Sequence, residues 1–535
     1  MSDHPGIERA SRARWRFRSI WLAPFLALLA LGSWSLASPV GSSPDDDYHL
    51  ASIWCAAGDR TSLCEEGTTA GSRLISSSLL SAACFARDSA ASGACQSGTF
   101  DNGVLIESTR GNFAGEYPPI YYGTMSLLAS DDVQTSVIAM RLLNGGLFVG
   151  LLTLLVILLP ATRGPTLLVS WLITLIPLGL FLVGSINPSA WAIIGVGTGW
   201  IAVLGYMEST GLRRVALAGV ALVAATMAVG SRADAAIYLA LAIAAVLLLR
   251  FRASVSFLRE AILPVVILII AVVAGLSTGQ VGAAVNGFGG VASSIPDPSV
   301  TSGPIAPFFS GPAAPPELVD TVVTGGSTLG LLFSNLVNTP SLWAGVFGSW
   351  ALGWFDTEMP YIVALGGVGV FAAVTFAGIA IVSFRKALIT AAAVTALWVI
   401  PVFTLTRGGD MVGVEVQPRY LLPFIIVLAG FAVLAVDGRV LRLTRLQRIL
   451  VVGTSIGTQS LALYYTMRRF VTGDDVNGLN LGDGAEWWWV GLPGPMVIWL
   501  VGSVAWAALV VIVVRFVTPS APVVPADQAV TEAER

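Results

Sequence analysis

Long apolar runs broken by short polar turns dominate the chain from about residue 20 to about residue 516. Each run is about 20 residues long, enough for a helix to cross roughly 30 Å of hydrocarbon. The pattern predicts spans at about 20–36, 136–160, 166–184, 189–206, 214–230, 235–250, 261–276, 361–383, 387–405, 421–436, 449–466 and 495–516. The expected fold class is therefore an all-α polytopic membrane protein of about twelve transmembrane helices. Three regions follow: an N-terminal segment 1–19, a helix bundle 20–516 and a Pro/Ala-rich tail 517–535, expected to be cytoplasmic and disordered. Two connectors, 37–135 and 277–360, are too long to be simple turns, and loops of that size usually carry function.

Composition strengthens this reading. The 535 residues are 55% hydrophobic and 11% charged, with a mean hydropathy of +0.79, which excludes a soluble enzyme, a collagen-like fibre and a disordered chain. Lys386 is the sole lysine and stands in Phe-Arg-Lys-Ala, so the chain lacks the Gly-Lys-Ser/Thr turn of a P-loop and is no self-contained ATP-driven pump. The net charge of -3 says little as a total, but its distribution sets an orientation. With the N-terminus inside, the connectors on that side hold Arg9 to Arg18, Arg163, Arg213, Arg214, Arg250, Arg252, Arg259, Arg385, Lys386, Arg439, Arg442, Arg445, Arg448, Arg515 and Arg535. Most acidic residues fall on the other side, so the positive-inside rule puts both termini in the cytoplasm of a multi-pass protein of a bacterial inner membrane. The first helix resembles a signal peptide ending at Ala37-Ser38, but Pro39 follows that site and favours an uncleaved anchor. Arginine dominance with abundant Ala, Gly and Val suggests a high-GC, actinobacterial source. No partner among nucleic acids is expected.

Cysteine placement agrees with the topology. Cys55, Cys64, Cys84 and Cys95 all lie in the first long loop. Their short separations favour disulfides Cys55–Cys64 and Cys84–Cys95 over the two other pairings, with a zinc site as the rival reading. The second long loop opens with a Gly/Ser/Pro-rich run, Gly287 to Pro316. Beyond it, Leu329–Leu336 and Leu342–Trp354 are expected as interfacial or re-entrant helices interrupted by Asn338-Thr339-Pro340, with an extra pair of full spans as the alternative.

The most informative polar feature follows the first span: Ser43-Pro44-Asp45-Asp46-Asp47-Tyr48-His49. Ser43 as N-cap, Pro44 at N1 and carboxylates in the first turn make a helix start. Three consecutive aspartates exceed what capping requires. Glu116, ahead of Tyr117-Pro118-Pro119-Ile120-Tyr121-Tyr122, is a second carboxylate returning toward the membrane. Asp45, Asp46 and Glu116 are thus the candidate catalytic residues, as a general base on a sugar hydroxyl. A divalent cation shared through carboxylate oxygens is the one cofactor these residues suggest, with metal dependence left open. Candidate binding groups near the other span ends are His49, Tyr121, Tyr122, Asn187, Arg232, Asp234, Gln417, Arg419 and Tyr420. An arginine offers charge-assisted, bidentate bonds to a phosphate, which singles out Arg419. Arg232 and Asp234 also read as a simple rim ion pair, Asn187-Pro188-Ser189 as a turn and helix cap, and Trp487-Trp488-Trp489 as an aromatic belt. Asp410, Glu415, Arg468, Arg469, Asp474 and Asp475 are weaker candidates. Gly195-Val196-Gly197-Thr198-Gly199 lies inside a span and reads as close helix packing.

The order Pro44-Asp45-Asp46 with His49, Pro118-Pro119-Ile120-Tyr121-Tyr122, Asn187-Pro188-Ser189 and Gln417-x-Arg419-Tyr420-Leu421-Leu422-Pro423 resembles a bacterial membrane-protein family catalogued as a domain of unknown function, over about 20–440. That family is similar in organisation to the GT-C glycosyltransferases. The resemblance implies inverting transfer of a sugar from a polyprenyl-phosphate-linked donor to an envelope glycan or glycolipid acceptor on the outer face. By it the acidic pair supplies the base and Arg419 meets the carrier phosphate; Asp46 stands where the family pattern has Glu. A transporter or flippase of a lipid-linked glycan is the alternative, and a non-enzymatic envelope scaffold is a third reading. The flippase predicts midplane charges and paired broken helices.

Overall fold

The computed structural model describes residues 20–101, 104–277, 328–413, 416–436 and 438–517. The expected N-terminal segment, the Gly287–Pro316 run, Glu415 and all but the first residue of the tail lie outside the described residues. An all-α bundle forms. The first span is α1 (Ala23–Leu36), entered through a 3-10 turn at Ile20–Leu22. The first long loop contributes α2 (Asp46–Cys55), α3 (Ser77–Ser81) and α4 (Pro119–Met125). Further along come α5 (Val133–Leu158), α6 (Gly164–Leu172), α7 (Leu178–Val183), α8 (Pro188–Glu208), α9 (Gly211–Val229), α10 (Ala233–Arg250) and α11 (Val255–Ser277). The second half supplies α12 (Thr328–Ala344), α13 (Tyr361–Ile379), α14 (Phe384–Gly408), α15 (Pro418–Val433), α16 (Arg445–Val471) and α17 (Pro495–Val517). Among the described residues, 8 of these are long and apolar enough to cross a membrane.

Every expected span has its helix, with three differences. The third, expected as one helix over 166–184, is two, because Pro177 has no amide hydrogen to extend α6 and the chain turns between Ile173 and Pro177. The stretch expected to break at Pro340 instead runs as a single helix, α12, through that proline. The carbonyl that Pro340 leaves unpaired, Leu336 O, accepts from Trp398 Nε1 at 2.9 Å, and Asn335 anchors the helix by donating to Thr406 Oγ1 at 3.2 Å and Asp410 O at 2.9 Å and by accepting from Val412 N at 3.0 Å. The first loop also carries a three-stranded antiparallel sheet, β1 (Cys64–Glu66), β2 (Arg73–Ser76) and β3 (Leu105–Ser108), that the sequence pattern did not predict. Strands of 3 or 4 residues are too short to show alternation.

Two disulfides pin this loop, Cys55–Cys64 and Cys84–Cys95, with Cα–Cα distances of 5.3 and 6.1 Å. The bundle's centre is α8, whose glycines let neighbours approach. A Cβ on Gly195 would stand 2.6 Å from Ala224 O and Ala228 N, and one on Gly197 would stand 2.5 Å from the Trp171 ring. At one end of the bundle, Arg163 pairs with Glu208 at 2.7 Å, Glu208 with Arg250 at 3.3 Å, and Lys386 Nζ donates to the carbonyls of Gly378, Ile381 and Leu434. At the other end, the loop-bearing end, Arg469 of α16 reaches into the first loop. It donates to Phe85 O at 2.9 Å, Asp88 O at 2.9 Å and Ala91 O at 2.5 Å, and pairs with Asp356 at 2.9 Å. Trp488 and Trp489, expected in an aromatic belt, are instead buried here: Trp488 packs on Gly93 and Trp489 Nε1 donates to Leu36 O at 3.0 Å.

Candidate functional site

The turn joining α1 to α2 is the most heavily braced segment of the loop-bearing end. A helix leaves its last carbonyls unpaired, and Arg141 of α5 answers them. Fully buried, it donates to Ser35 O at 2.8 Å, Ser38 O at 2.7 Å, Pro39 O at 2.7 Å and Ser42 Oγ at 3.3 Å. Asn187, at the N-cap of α8, accepts from Ser189 N at 2.9 Å as its capping role requires, and its amide donates to Pro44 O at 3.0 Å and Ser43 Oγ at 3.2 Å. Arg419 of α15 adds a bond to Pro44 O at 3.4 Å. The helix start differs from expectation: Asp45, not Ser43, is the N-cap of α2, and it takes a left-handed conformation with φ 61°. Asp and Asn tolerate that region better than other side-chain-bearing residues, which suits an aspartate held there by its partners.

The three aspartates diverge. Asp45 faces outward, 41% exposed, and its carboxylate meets Arg419 Nη2 at 2.7 Å and Arg110 at 3.8 Å, while the Arg419 side chain is only 4% exposed. Burial alone would raise the Asp45 carboxyl; Arg419, His49 and Arg110 outweigh it and hold the group down at about 2. Asp47 pairs with Arg110 at 2.8 Å. Asp46 turns inward, 1% exposed, accepting from Ser43 N at 3.1 Å. Its Oδ1 has no hydrogen-bond partner among the described residues. Burial, against the pull of Arg141, pushes its carboxyl up to about 8. Asp46 is thus closed off from any substrate, and its expected catalytic role gives way to a structural one. Ser43, its donor, is buried too.

Around Asp45 lies a layer of aromatic and cationic groups. Tyr420 sits between two guanidiniums, that of Arg232 at 4.3 Å from its ring centroid and that of Arg419 at 5.1 Å. Its hydroxyl accepts from Arg419 Nη2 at 3.1 Å. Arg232 pairs with Asp234 at 2.9 Å and also faces Tyr117 at 5.8 Å. His49 Nδ1 lies 2.9 Å from the Tyr122 hydroxyl. Burial, reinforced by Arg419, Arg232 and Arg110 against Asp45, lowers His49 to about 3, so the imidazole is neutral at physiological pH. Tyr48 donates to Glu116 at 3.1 Å, which joins the second carboxylate motif to α2. The start of α4 is tied to the α9–α10 turn through Tyr121 N donating to Gly230 O at 3.0 Å. Tyr121 itself is buried against Trp191 and reaches no open surface. Gln417, at the N-cap of α15, lines a narrow cleft beside Arg419 and Pro44 whose other walls include Leu178, Phe181, Trp350 and Phe355.

The structure therefore brings Asp45, Glu116, His49, Tyr122, Asn187, Arg232, Asp234, Gln417, Arg419 and Tyr420 to one region, from segments up to 375 positions apart. It does not assemble a metal site: no group of 3 or more His, Cys, Asp or Glu residues stands close enough to hold an ion among the described residues, and Asp45 is neutralised by arginine. The cysteines are spent in disulfides, which removes the zinc alternative. Sequence reasoning missed Arg110, Arg141 and Tyr117. Arg141 had a visible signal, a lone arginine within an apolar run, and such residues are functional or structural anchors by default.

Fold and site together define a multi-pass membrane protein with a polar, charge-paired site at the loop-bearing end of its bundle. The chain belongs to the DUF2142 family of predicted membrane proteins, whose match covers residues 28–428. No curated protein and no solved structure matches the chain.

Proposed function

We propose that this protein is a membrane glycosyltransferase that moves a sugar from a polyprenyl-phosphate donor to a cell-envelope acceptor at the extracytoplasmic face of a bacterial inner membrane, with both termini in the cytoplasm. The observation that carries the reading is the pairing of an outward carboxylate with a buried arginine beside an apolar cleft. Asp45 and Arg419 meet at 2.7 Å, and the adjoining cleft is walled by Leu178, Phe181, Trp350 and Phe355. The cleft itself is small, ≈ 20 Å³, so in this reading the isoprenoid tail lies along these apolar walls from the bilayer side and not within the cleft, while the phosphate suits a guanidinium fork.

In this reading the acceptor hydroxyl gives its proton to the Asp45 carboxylate as its oxygen attacks the anomeric carbon. The bond from that carbon to the phosphate oxygen breaks, and its electron pair leaves on the polyprenyl phosphate, with inversion. Arg419, stacked on Tyr420 with Arg232 on the ring's other contact, stabilises the negative charge of the leaving group. A carboxylate held at about 2 is a weak base. A donor phosphate drawn to Arg419 loosens the ion pair and raises the basicity of Asp45, so donor arrival arms the base. Neutral His49 and Tyr122 keep the pocket behind it free of competing charge.

The test uses purified protein in proteoliposomes with a panel of radiolabelled polyprenyl-phosphate sugars and envelope glycan acceptors. Transfer that is lost in Asp45→Asn and weakened in Arg419→Lys supports the reading. A flippase of a lipid-linked glycan is the competing reading, favoured by the discontinuous span α6–α7, whose second half lines the cleft. Movement of labelled lipid across the bilayer without glycosidic transfer would establish it instead.

A further inference from the structure

A second, larger cleft of ≈ 710 Å³ opens at the loop-bearing end, between the outer turns of α16, the segment 348–361 and the last long loop. That volume falls within the roughly 300–1,000 Å³ of small-molecule sites. Its chemistry differs from that of the cleft beside Arg419. Exposed Tyr361 and Tyr465 offer aromatic faces, and exposed Glu358, Asp474 and Asn477 offer oxygen and amide groups. Two arginines also line it, yet both are committed to the protein. Arg468 donates to Gly478 O at 2.8 Å and Asn480 O at 2.9 Å, and Arg469 is spent on the first loop and Asp356. Arg469 is offset by Asp356, whereas Arg468 keeps its charge and an Nε unpartnered among the described residues; set against Glu358 and Asp474, the lining is still net negative and offers hydroxyls, an amide and carboxylates that accept from hydroxyls and disfavour anions.

The wall between the two clefts is one hairpin. Leu352 and Thr357 exchange backbone bonds at 2.9 and 3.3 Å, and Trp354 Nε1 fastens the hairpin to Gly41 O at 2.8 Å. Trp350, Leu352, Gly353 and Phe355 face the Arg419 cleft, Asp356 and Glu358 face the wide one, and Ala351 lines both.

We propose that the wide cleft is a binding site for an uncharged, hydroxyl-rich saccharide, with Tyr361 and Tyr465 as stacking faces and Glu358 and Asp474 as acceptors from sugar hydroxyls. Its role as the acceptor's station rests on the transferase reading above; the saccharide chemistry does not. The experiment titrates full-length protein in nanodiscs with maltotriose, cellotriose and mannotriose, and with a sulfated chondroitin tetrasaccharide as the anionic probe, by saturation-transfer NMR. Saturable binding of at least one neutral trisaccharide below about 10 mM is expected. Glu358→Gln, Asp474→Asn and Tyr465→Ala should each weaken it about tenfold. No saturable neutral binding, binding indifferent to all three cleft variants, or preference for the sulfated probe overturns the proposal. Saccharide binding that responds to the cleft variants in a protein that transfers no sugar from any polyprenyl-phosphate donor supports the cleft assignment and sinks the transferase reading alone.

Discussion

Asp45→Asn separates chemistry from architecture more sharply than any other change. The amide keeps an oxygen for Arg419 and, like aspartate, tolerates the left-handed backbone that Asp45 occupies at φ 61°. It cannot take a proton at neutral pH. On the stability side, lowering a carboxyl from 3.8 to about 2 corresponds to at most roughly 2 kcal/mol. Because the Asp45 side chain is 41% exposed, solvent screening reduces the worth of its pairing to about 1 kcal/mol. On the chemical side, a general base is worth roughly 10²- to 10⁴-fold in rate. The two roles therefore differ by more than the error of either measurement. Initial rates of transfer in proteoliposomes, read beside thermal unfolding of the same preparations, should show a modest loss of stability and a loss of transfer of at least about a hundredfold. Asp45→Gly should match the Asn variant in rate. Asp45→Ala should match it too but unfold earlier, because a left-handed alanine costs roughly 1–2 kcal/mol. The pH dependence follows from the direction of the shift. A depressed carboxyl contributes stability that is present above its unfolded value of 3.8 and lost as pH falls toward about 2, so the ion pair's contribution is constant between pH 5 and 9. Donor-bound protein, with Arg419 turned to phosphate, should show an acid limb in kcat at higher pH than that in kcat/KM. Transfer within about threefold of the parent in the Asn or Gly variant, far short of a general base's share, refutes the assignment of the base.

Asp46→Asn should spare most transfer and change the alkaline side of the stability profile. A buried carboxyl raised to about 8 favours the fold fully below 3.8 and loses that favour as pH climbs through 8, so the variant's unfolding temperature should gain on the parent's between pH 5 and 9. Arg419→Lys should retain part of the donor affinity and Arg419→Ala almost none, measured by binding of a labelled polyprenyl phosphate, since Lys keeps the charge without the planar fork. Peptide mapping without reduction should return the Cys55–Cys64 and Cys84–Cys95 pairs. Each closes a loop of about ten residues, so its removal should cost about 2.5 kcal/mol of loop stability, read by limited proteolysis. Arg469→Met leaves Asp356 buried without its partner and should destabilise by roughly 3–5 kcal/mol in thermal unfolding.

Much of the architecture was legible because a bilayer demands long, uniform apolar runs, and those survive any detail of packing. Cysteine pairing was legible for a similar reason, since separations of 9 and 11 residues suit local closure. What escaped depends on side chains meeting across the sequence. Pro340 reads as a breaker, yet Leu336 O, the carbonyl it leaves unpaired, accepts from Trp398 Nε1 of α14 and the helix continues. Ser43 reads as a cap, yet Asn187 takes its hydroxyl and Asp46 its amide, and the helix starts two residues later. Asp45 and Asp46 are indistinguishable as letters; only the packing of Arg419 on one side and Arg141 on the other sends one outward and the other inward. Arg110 was silent because its partners are aspartates 63 and 65 positions earlier, beyond any local pattern.

The reach of Arg469 into the first loop sets an order of manufacture. Carbonyls of Phe85, Asp88 and Ala91 wait for a guanidinium made as many as 384 residues later, about 20 to 75 s of synthesis at roughly 5–20 residues per second. Until then the earliest large loop to leave the ribosome lacks the bonds that tie it to α16. The fastening residue also lies beyond position 428, where the match to the family ends. Chains stopped before α16 should therefore present a first loop that limited proteolysis cleaves faster than in the full chain, which makes α16 the last fastening that loop receives.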